Sequence, residues 1–140
     1  MAISQAICSS FKEELLEGIH DLAGDTIKVA LFTSAATLGA ATTAYVASDE
    51  VSGPGYTAGG EDLTGNAVTL DGTTAIVDFD NVEWTAATIT GIRGALLYNS
   101  SKANRAIAVL DFGGDYNVSS GTFRIVFPAP AAATAILRLS

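Results

Sequence analysis

The segment Val68-Thr-Leu-Asp-Gly-Thr-Thr-Ala-Ile-Val-Asp-Phe79 decides the fold class, because it has the pattern of two short strands joined by a tight turn. Asp71-Gly72 lies between two apolar, β-branched runs, and both residues tolerate the positive φ that two-residue hairpin turns require. We therefore predict that residues 67–70 and 74–79 pair as antiparallel strands. On both sides of this hairpin, similar segments rich in Val, Ile, Thr and aromatic residues alternate with Gly, Asp, Asn and Ser clusters.

Eight segments fit the strand pattern. They are residues 27–32, 43–47, 67–70, 74–79, 87–98, 105–111, 122–127 and 134–139. The turn at 99–104 separates two strongly apolar segments and predicts a second hairpin. Because no helices alternate with these strands, a parallel sheet is not indicated. The predicted fold is an all-β antiparallel sandwich, jelly-roll-like with about eight strands, in a single domain over residues 1–140.

One amphipathic helix is predicted before the strands begin. Phe11, Leu15 and Ile19 recur at helical spacing, which predicts a helix over about residues 10–23. Ser10 and Glu13 have the spacing of a capping box, and Gly24 is placed to end the helix. We expect the apolar stripe to pack on the sheet, although the same three residues are also candidates for contact with a partner.

Composition and charge restrict the class of partner. The chain has 140 residues, of which 49% are apolar and 16% charged, as expected of one folded domain. Its net charge of −8 would repel nucleic-acid phosphates and anionic lipid surfaces. No apolar run approaches the ~18 to 20 residues of a membrane span, and the first ten residues lack the basic start of a secretory signal. We expect neither nucleic acid nor membrane as a partner.

The residues able to carry chemistry are few. With one His and one Cys, the chain lacks the ligands for most metal and redox centres. We expect His20 to be a solvated or interfacial helix residue and Cys8 a buried, unreactive thiol. The acidic run at 78–83 could hold calcium or supply a glycosidase pair, but a solvated turn is favoured. We therefore predict no catalytic, cofactor or metal site and no enzyme activity.

Two groups of residues are candidates for contacts with partners. Trp84 and Tyr98 could form a sugar-binding platform, although core or interface anchors are commoner roles for such residues. Residues 52–60 contain four glycines and a proline, which predicts an ordered loop crossing the surface. Four residues of this loop are assigned as contact residues, with the turn at 99–104 as a second choice. They are Pro54, Tyr56, Gly59 and Gly60.

Four stretches of the sequence resemble a known family. They are Ile27-Lys-Val-Ala-Leu-Phe-Thr-Ser34, Glu50-Val-Ser-Gly-Pro-Gly-Tyr-Thr-Ala-Gly-Gly60, Gly94-Ala-Leu-Leu-Tyr-Asn-Ser-Ser-Lys-Ala-Asn-Arg-Ala-Ile-Ala-Val-Leu-Asp-Phe112 and Gly121-Thr-Phe-Arg-Ile-Val-Phe-Pro128. Together they are similar to small virion proteins of tailed bacteriophages, the capsid cement or decoration proteins. The resemblance extends from about residue 25 to the end of the chain.

This resemblance implies a structural subunit rather than an enzyme. It implies a jelly-roll protein that docks as a homodimer on the outside of the icosahedral head and ties neighbouring major capsid protein subunits together. It also implies a place on the virion exterior after synthesis in the host bacterial cytoplasm. Two alternatives stay open: another virion component, such as a tail or fibre-base protein, and a carbohydrate-binding jelly-roll module.

Overall fold

Two antiparallel sheets and one short helix make up the computed structural model, which describes residues 2–139. In chain order the elements are β1 (Ala6–Ile7), α1 (Ser9–Leu16), β2 (Ile27–Phe32), β3 (Glu61–Asp62), β4 (Ala67–Asp71), β5 (Thr74–Asp78), β6 (Val82–Asn99), a 3₁₀ turn (Ser100–Lys102), β7 (Arg105–Ile125) and β8 (Leu137–Leu139). The larger sheet has the order β1-β7-β6-β2-β3, and the smaller sheet has the order β4-β5-β8. The predicted all-β sandwich with one helix is confirmed, with its strands divided five and three.

The hairpin predicted around Asp71-Gly72 is confirmed. β4 and β5 pair antiparallel, with Val68 opposite Val77 and Leu70 opposite Ala75. Gly72 has a φ of 64°, the left-handed conformation for which the turn needs glycine. Local sequence was sufficient here because the turn and both strands lie within twelve residues.

The second predicted hairpin is also confirmed, but its strands are much longer than expected. β6 and β7 pair from the Asn99/Arg105 end to the Val82/Ile125 end. The prediction of two separate strands at 105–111 and 122–127 is therefore wrong. Gly113 and Ser120 adopt positive φ, and the pairing register shifts along this part of the ladder. Bulges bend a strand without ending it, so the glycines that indicated a break are accommodated within β7.

Two predicted strands are absent or shortened among residues 2–139. Segment 43–47 forms only a single bridge, between Ala44 and Arg105, after which Val46 is 60% exposed. Segment 134–139 is a strand only over Leu137–Leu139, because the amides of Thr134 and Ala135 bond to the carbonyl of Ala131 in a turn. In both cases the strand propensity is local, whereas a strand needs a partner edge along its whole length.

The helix is shorter than predicted and begins one residue earlier. It ends at Leu16 because Gly18 adopts a φ of 75°, and the amides of Gly18 and Ile19 bond back to the carbonyls of Leu15 and Glu14. This pattern is a Schellman motif, so Gly18 ends the helix in place of Gly24. The predicted capping box is also wrong. Cys8 is the N-cap residue, without a side-chain capping bond, and Ser10 lies inside the first turn.

The core joins both sheets and the helix in one cluster of buried residues. Its largest fully buried side chains come from the central strands of the larger sheet, among them Phe32, Trp84, Leu97 and Ile107. Five of the six residues of β2 are buried, because this strand has partners on both edges and is covered on both faces. Each such side chain contributes roughly 1.5 to 3 kcal/mol by leaving water.

Candidate functional site

Residues 52–60, called the glycine loop from here on, lie directly against the larger sheet. The amide of Thr88 in β6 donates to the carbonyl of Pro54 at 2.9 Å. A Cβ atom on Gly60 would overlap the backbone carbonyl of Val29 in β2, and one on Gly53 would overlap the carbonyl of Thr88 in β6. The predicted ordered loop is confirmed, and its glycines allow backbone to pack on backbone.

A single carboxylate holds this loop in place. Glu50 Oε2 accepts hydrogen bonds from the Tyr56 hydroxyl at 2.5 Å and the Gly59 amide at 2.8 Å. Glu50 Oε1 accepts one from the Tyr45 hydroxyl at 2.6 Å. The Tyr56 hydroxyl in turn accepts from the amide of Leu31 at 2.9 Å. Through these bonds Glu50 connects the glycine loop to β2.

Two further contacts complete the cluster around Glu50. The Tyr98 hydroxyl donates to the carbonyl of Gly59 at 2.6 Å, and the Tyr98 ring stacks on that of Tyr45 with centroids 4.6 Å apart. Burial, and then the neighbouring carboxylate of Glu50, raise the pKa of Tyr98 to about 12. The same two causes raise the pKa values of Tyr45 and Tyr56. All three hydroxyls therefore keep the protons they donate at neutral pH.

The four predicted contact residues of the glycine loop are placed differently from one another. Pro54 is exposed, whereas Gly59 and Gly60 are half-buried. Tyr56 does not project from the loop as an interface anchor would. Its hydroxyl is bonded to Glu50, and its ring lies 6.0 Å from that of Trp84. The ring therefore anchors the loop to its own chain, and Pro54 is the member of this set that a partner can reach.

Trp84 and Tyr98 do not form an exposed platform. They are 1% and 2% exposed, and Trp84 packs against Phe123 at 6.1 Å between ring centroids. A sugar stacks on an open aromatic face, which neither residue offers. The commoner role for such residues, as core anchors, matches their positions.

The three candidate residues of the helix region also differ in position. Phe11 is buried in the core at 4% exposure, which confirms that the apolar stripe packs inward at this point. Leu15 is half-buried at the edge of the core. Ile19 lies beyond the end of α1 and is half-buried. The stripe is therefore divided by the early helix end.

A second polar cluster surrounds His20, for which the prediction of a solvated or interfacial helix residue is wrong. The side chain has no exposed surface, because the chain turns inward after Gly18. His20 Nε2 lies 2.9 Å from Glu14 Oε1, and His20 Nδ1 lies 3.0 Å from Asn99 Nδ2. Since the amide of Asn99 donates, His20 Nδ1 accepts and Nε2 carries the proton that bonds to Glu14. The ring therefore links the helix to the β6 end of the hairpin.

Two ion pairs surround this histidine cluster. Arg105 Nη1 donates to Glu14 Oε2 at 2.9 Å, and Lys102 Nζ donates to Asp25 Oδ1 at 3.0 Å. Burial opposes ionisation of Glu14, but bonds from His20 and Arg105 outweigh it and hold the pKa of Glu14 below its ordinary value. Glu14 is therefore a buried anion with its charge satisfied on both oxygens.

Asp25 is expected to give the fold an acid-sensitive contribution. Bonds from the Asn99 side chain and the Asp21 amide, with the charge of Lys102, lower the pKa of Asp25 from 3.8 to about 2. Because the folded pKa is depressed, this stabilisation is complete above pH 4 and is lost as the pH falls towards 2. The difference in unfolding free energy between wild type and Asp25→Asn should therefore be constant above pH 5 and shrink below pH 4.

Asp49→Asn is the matched control for this acid prediction. The Asp49 side chain is exposed and accepts no hydrogen bond from any residue in the range 2–139. Its substitution removes no side-chain contact and should change the unfolding free energy little. Chemical denaturation at several pH values measures both variants, and a wild-type advantage over Asp25→Asn that persists unchanged at pH 2 would contradict the assignment.

Neither cluster could be predicted from a sequence pattern. Glu14 and His20 are six residues apart, which is not a helical spacing, and Asn99 joins them from 79 residues further along. The three donors to Glu50 lie within nine residues of it, but they do not follow a helical or strand spacing. The bonds that join this cluster to the sheet come from Leu31 and Tyr98, which are distant in sequence.

Cys8 and the acidic run at 78–83 are the other residues that were considered for chemistry. Cys8 is buried, as predicted, and burial followed by the charge of Glu14 raises the pKa of its thiol to about 11. In the acidic run at 78–83, Glu83 pairs with Arg124 at 2.7 Å. Among residues 2–139, no three His, Cys, Asp or Glu side chains are grouped to hold a metal ion.

Within residues 2–139 there is no helix long and apolar enough to span a bilayer. Comparison with protein-family models, curated proteins and solved structures finds no match to this chain.

Proposed function

We propose that this chain is a capsid cement or decoration protein of a tailed bacteriophage. In this proposal it is a non-enzymatic subunit that docks on the outside of the icosahedral head and ties major capsid protein subunits together. The observation that carries the proposal is the amount of exposed apolar surface: Leu16, Leu70, Val126 and Leu139 are each more than half exposed. Leu16 and Leu139 line the same groove, and contiguous exposed apolar side chains mark surfaces that a partner covers.

The arrangement of the polar residues supports the same role. Two of the four stretches that carry the resemblance supply Glu50 with Tyr56, and Asn99 with Arg105. In both clusters the polar groups bond within the chain, to each other and to strand backbone. Such bonds stiffen a loop and a hairpin, which suits a subunit that transmits load between its neighbours.

Docking would stabilise the shell by mass action. A subunit that contacts two coat proteins binds the assembled shell more tightly than it binds free coat protein, so its binding free energy is added to the stability of the shell. The net charge of −8 favours a basic coat surface and raises the rate of encounter.

Self-association is the second part of the proposal. Over residues 112–125, β7 pairs only with β6 among the described strands, because β1 reaches only Val109 and Ala108. This leaves one edge of β7 open. Two such edges, related by a twofold axis, would form the homodimer.

The proposal is tested on phage heads assembled without this chain. Purified protein should cosediment with these heads to saturation and raise the temperature at which they release DNA. Light scattering should give the mass of a dimer, and raising salt from about 50 mM to about 500 mM should weaken docking.

Binding to tails instead of heads, or no binding to particles, would contradict the proposal. A ring or trimer would favour a tail or fibre-base protein, and glycan binding would favour a carbohydrate module.

A further inference from the structure

An apolar groove of about 390 Å³ runs between α1 and the smaller sheet. On the helix side it is lined by Phe11, Leu15 and Leu16. Leu16 is 86% exposed, the largest exposure of any large hydrophobic residue in the described chain. The early end of the helix at Gly18 leaves this side chain without a covering segment.

The sheet side of the groove is a continuous apolar face. Val68 lies opposite Val77, Leu70 opposite Ala75, and β8 adds Leu137 and Leu139 opposite the same two β5 residues. Cross-strand partners project to the same face of a sheet, so these six residues share one face. Val77 and Leu137 are buried, whereas Val68, Leu70 and Leu139 are 48%, 73% and 59% exposed. Two of the six residues are therefore core, and three are open to solvent.

The charge at the groove indicates what covers it. Lys12 lines the groove, and its ammonium group makes no ion pair or hydrogen bond with any residue from 2 to 139. The other six basic side chains all have partners within the chain. These are Lys28 with Asp62, Arg93 with Asp111, Lys102 with Asp25, Arg105 with Glu14, Arg124 with Glu83, and Arg138 with the carbonyl of Ala133.

We propose that this groove binds an apolar segment of a partner protein that carries a carboxylate positioned to pair with Lys12. Among residues 2–139 no acidic side chain lines the groove, so none of these residues supplies that carboxylate. Two copies meeting groove to groove would bring two unpaired lysines together, which disfavours a second copy as the occupant. The identity of the partner as coat protein rests on the proposed function, whereas the chemistry of the segment rests on the groove alone.

The shell assay tests the groove with two aspartate substitutions at exposed positions. Leu16→Asp should weaken head binding at least about 10-fold, because it places an unpaired charge in an apolar contact. Val46→Asp is the matched control, since Val46 is 60% exposed but does not line the groove. Equal binding by both variants and wild type would overturn the groove while leaving the proposed function intact.

A peptide assay tests the groove without any particle. The probes are two blocked amphipathic peptides with identical leucine positions, one carrying glutamates and the other lysines. The acidic peptide should bind several-fold more tightly and shift the NMR signals of the Leu16, Val68 and Leu139 methyl groups, and Lys12→Glu should reverse the preference. Binding elsewhere, or equal binding of both peptides, would overturn the inference even if wild-type protein fails to bind heads.

Sedimentation of the same variants tests whether a second copy of the chain occupies the groove. If Leu16→Asp converts a dimer to a monomer and Val46→Asp does not, the groove is a self-association surface and the inference is wrong. An unchanged oligomeric state in both variants is the expected result.

Discussion

Replacing Gly60 with alanine is expected to lower the free energy of unfolding by about 2 to 5 kcal/mol. Gly60 has a φ of 80°, and its Cβ position overlaps the carbonyl of Val29 in the buried strand β2. Relief requires the glycine loop to move away from β2. That movement would also pull Gly59 away from Glu50, whose bond to the Gly59 amide is 2.8 Å long.

Gly72→Ala separates the two causes of this loss. Gly72 also has a positive φ, at 64°, but a Cβ there would meet no atom within 4 Å. Its substitution should therefore cost only the conformational strain, about 1 kcal/mol. Denaturant unfolding compares the two variants directly, and equal losses would show that the close approach of loop to strand contributes nothing.

Replacing Glu14 with glutamine is expected to cost about 2 to 4 kcal/mol. The carboxylate accepts from His20 on one oxygen and from Arg105 on the other, whereas an amide can accept on one side only. The His20 side chain has no exposed surface and cannot reach water, while that of Arg105 is 40% exposed and can. We therefore expect the glutamine oxygen to face His20 and Arg105 to lose its partner.

Glu13→Gln is the matched control, because Glu13 lies on the same helix and is exposed. It should change unfolding free energy by less than about 0.5 kcal/mol. The effect at Glu14 should also depend on pH in a defined direction. Since the pKa of Glu14 is held below its ordinary value near 4.5, the wild-type advantage is present above that value and shrinks as the pH falls through the lowered pKa. An advantage that grows in acid would contradict the paired carboxylate.

Features that depend on residues close together in the sequence were predicted well, and features that depend on distant residues were not. The β4–β5 hairpin and the strand Ile27–Phe32 were predicted closely, because turn chemistry and an apolar run are local. The helix end was missed because Gly18 and Gly24 are both plausible stops. The Schellman bonds to Glu14 and Leu15 form only at the first of them.

Contacts between residues far apart in the sequence could not be predicted from local patterns. Whether Gly113 ends a strand or bends one depends on the partner strand β6, which continues past it. The buried state of His20 depends on Asn99, and the inward turn of Tyr56 depends on the amide of Leu31, which lies 25 residues earlier. Residue type alone favoured an exposed role for His20, because an unpaired imidazole avoids the core.

The all-β class, the helix at the start and the two hairpins could be predicted from residue order alone, because these features follow from periodicity and turn residues. The surplus of negative charge and the shortage of metal ligands also follow from the sequence. Which polar groups are paired, and which apolar groups are left uncovered, became known from the three-dimensional arrangement. Pairing and burial depend on segments that are far apart in the chain, so Lys12 and Leu16 became candidates only when α1 and the smaller sheet were seen to border one groove.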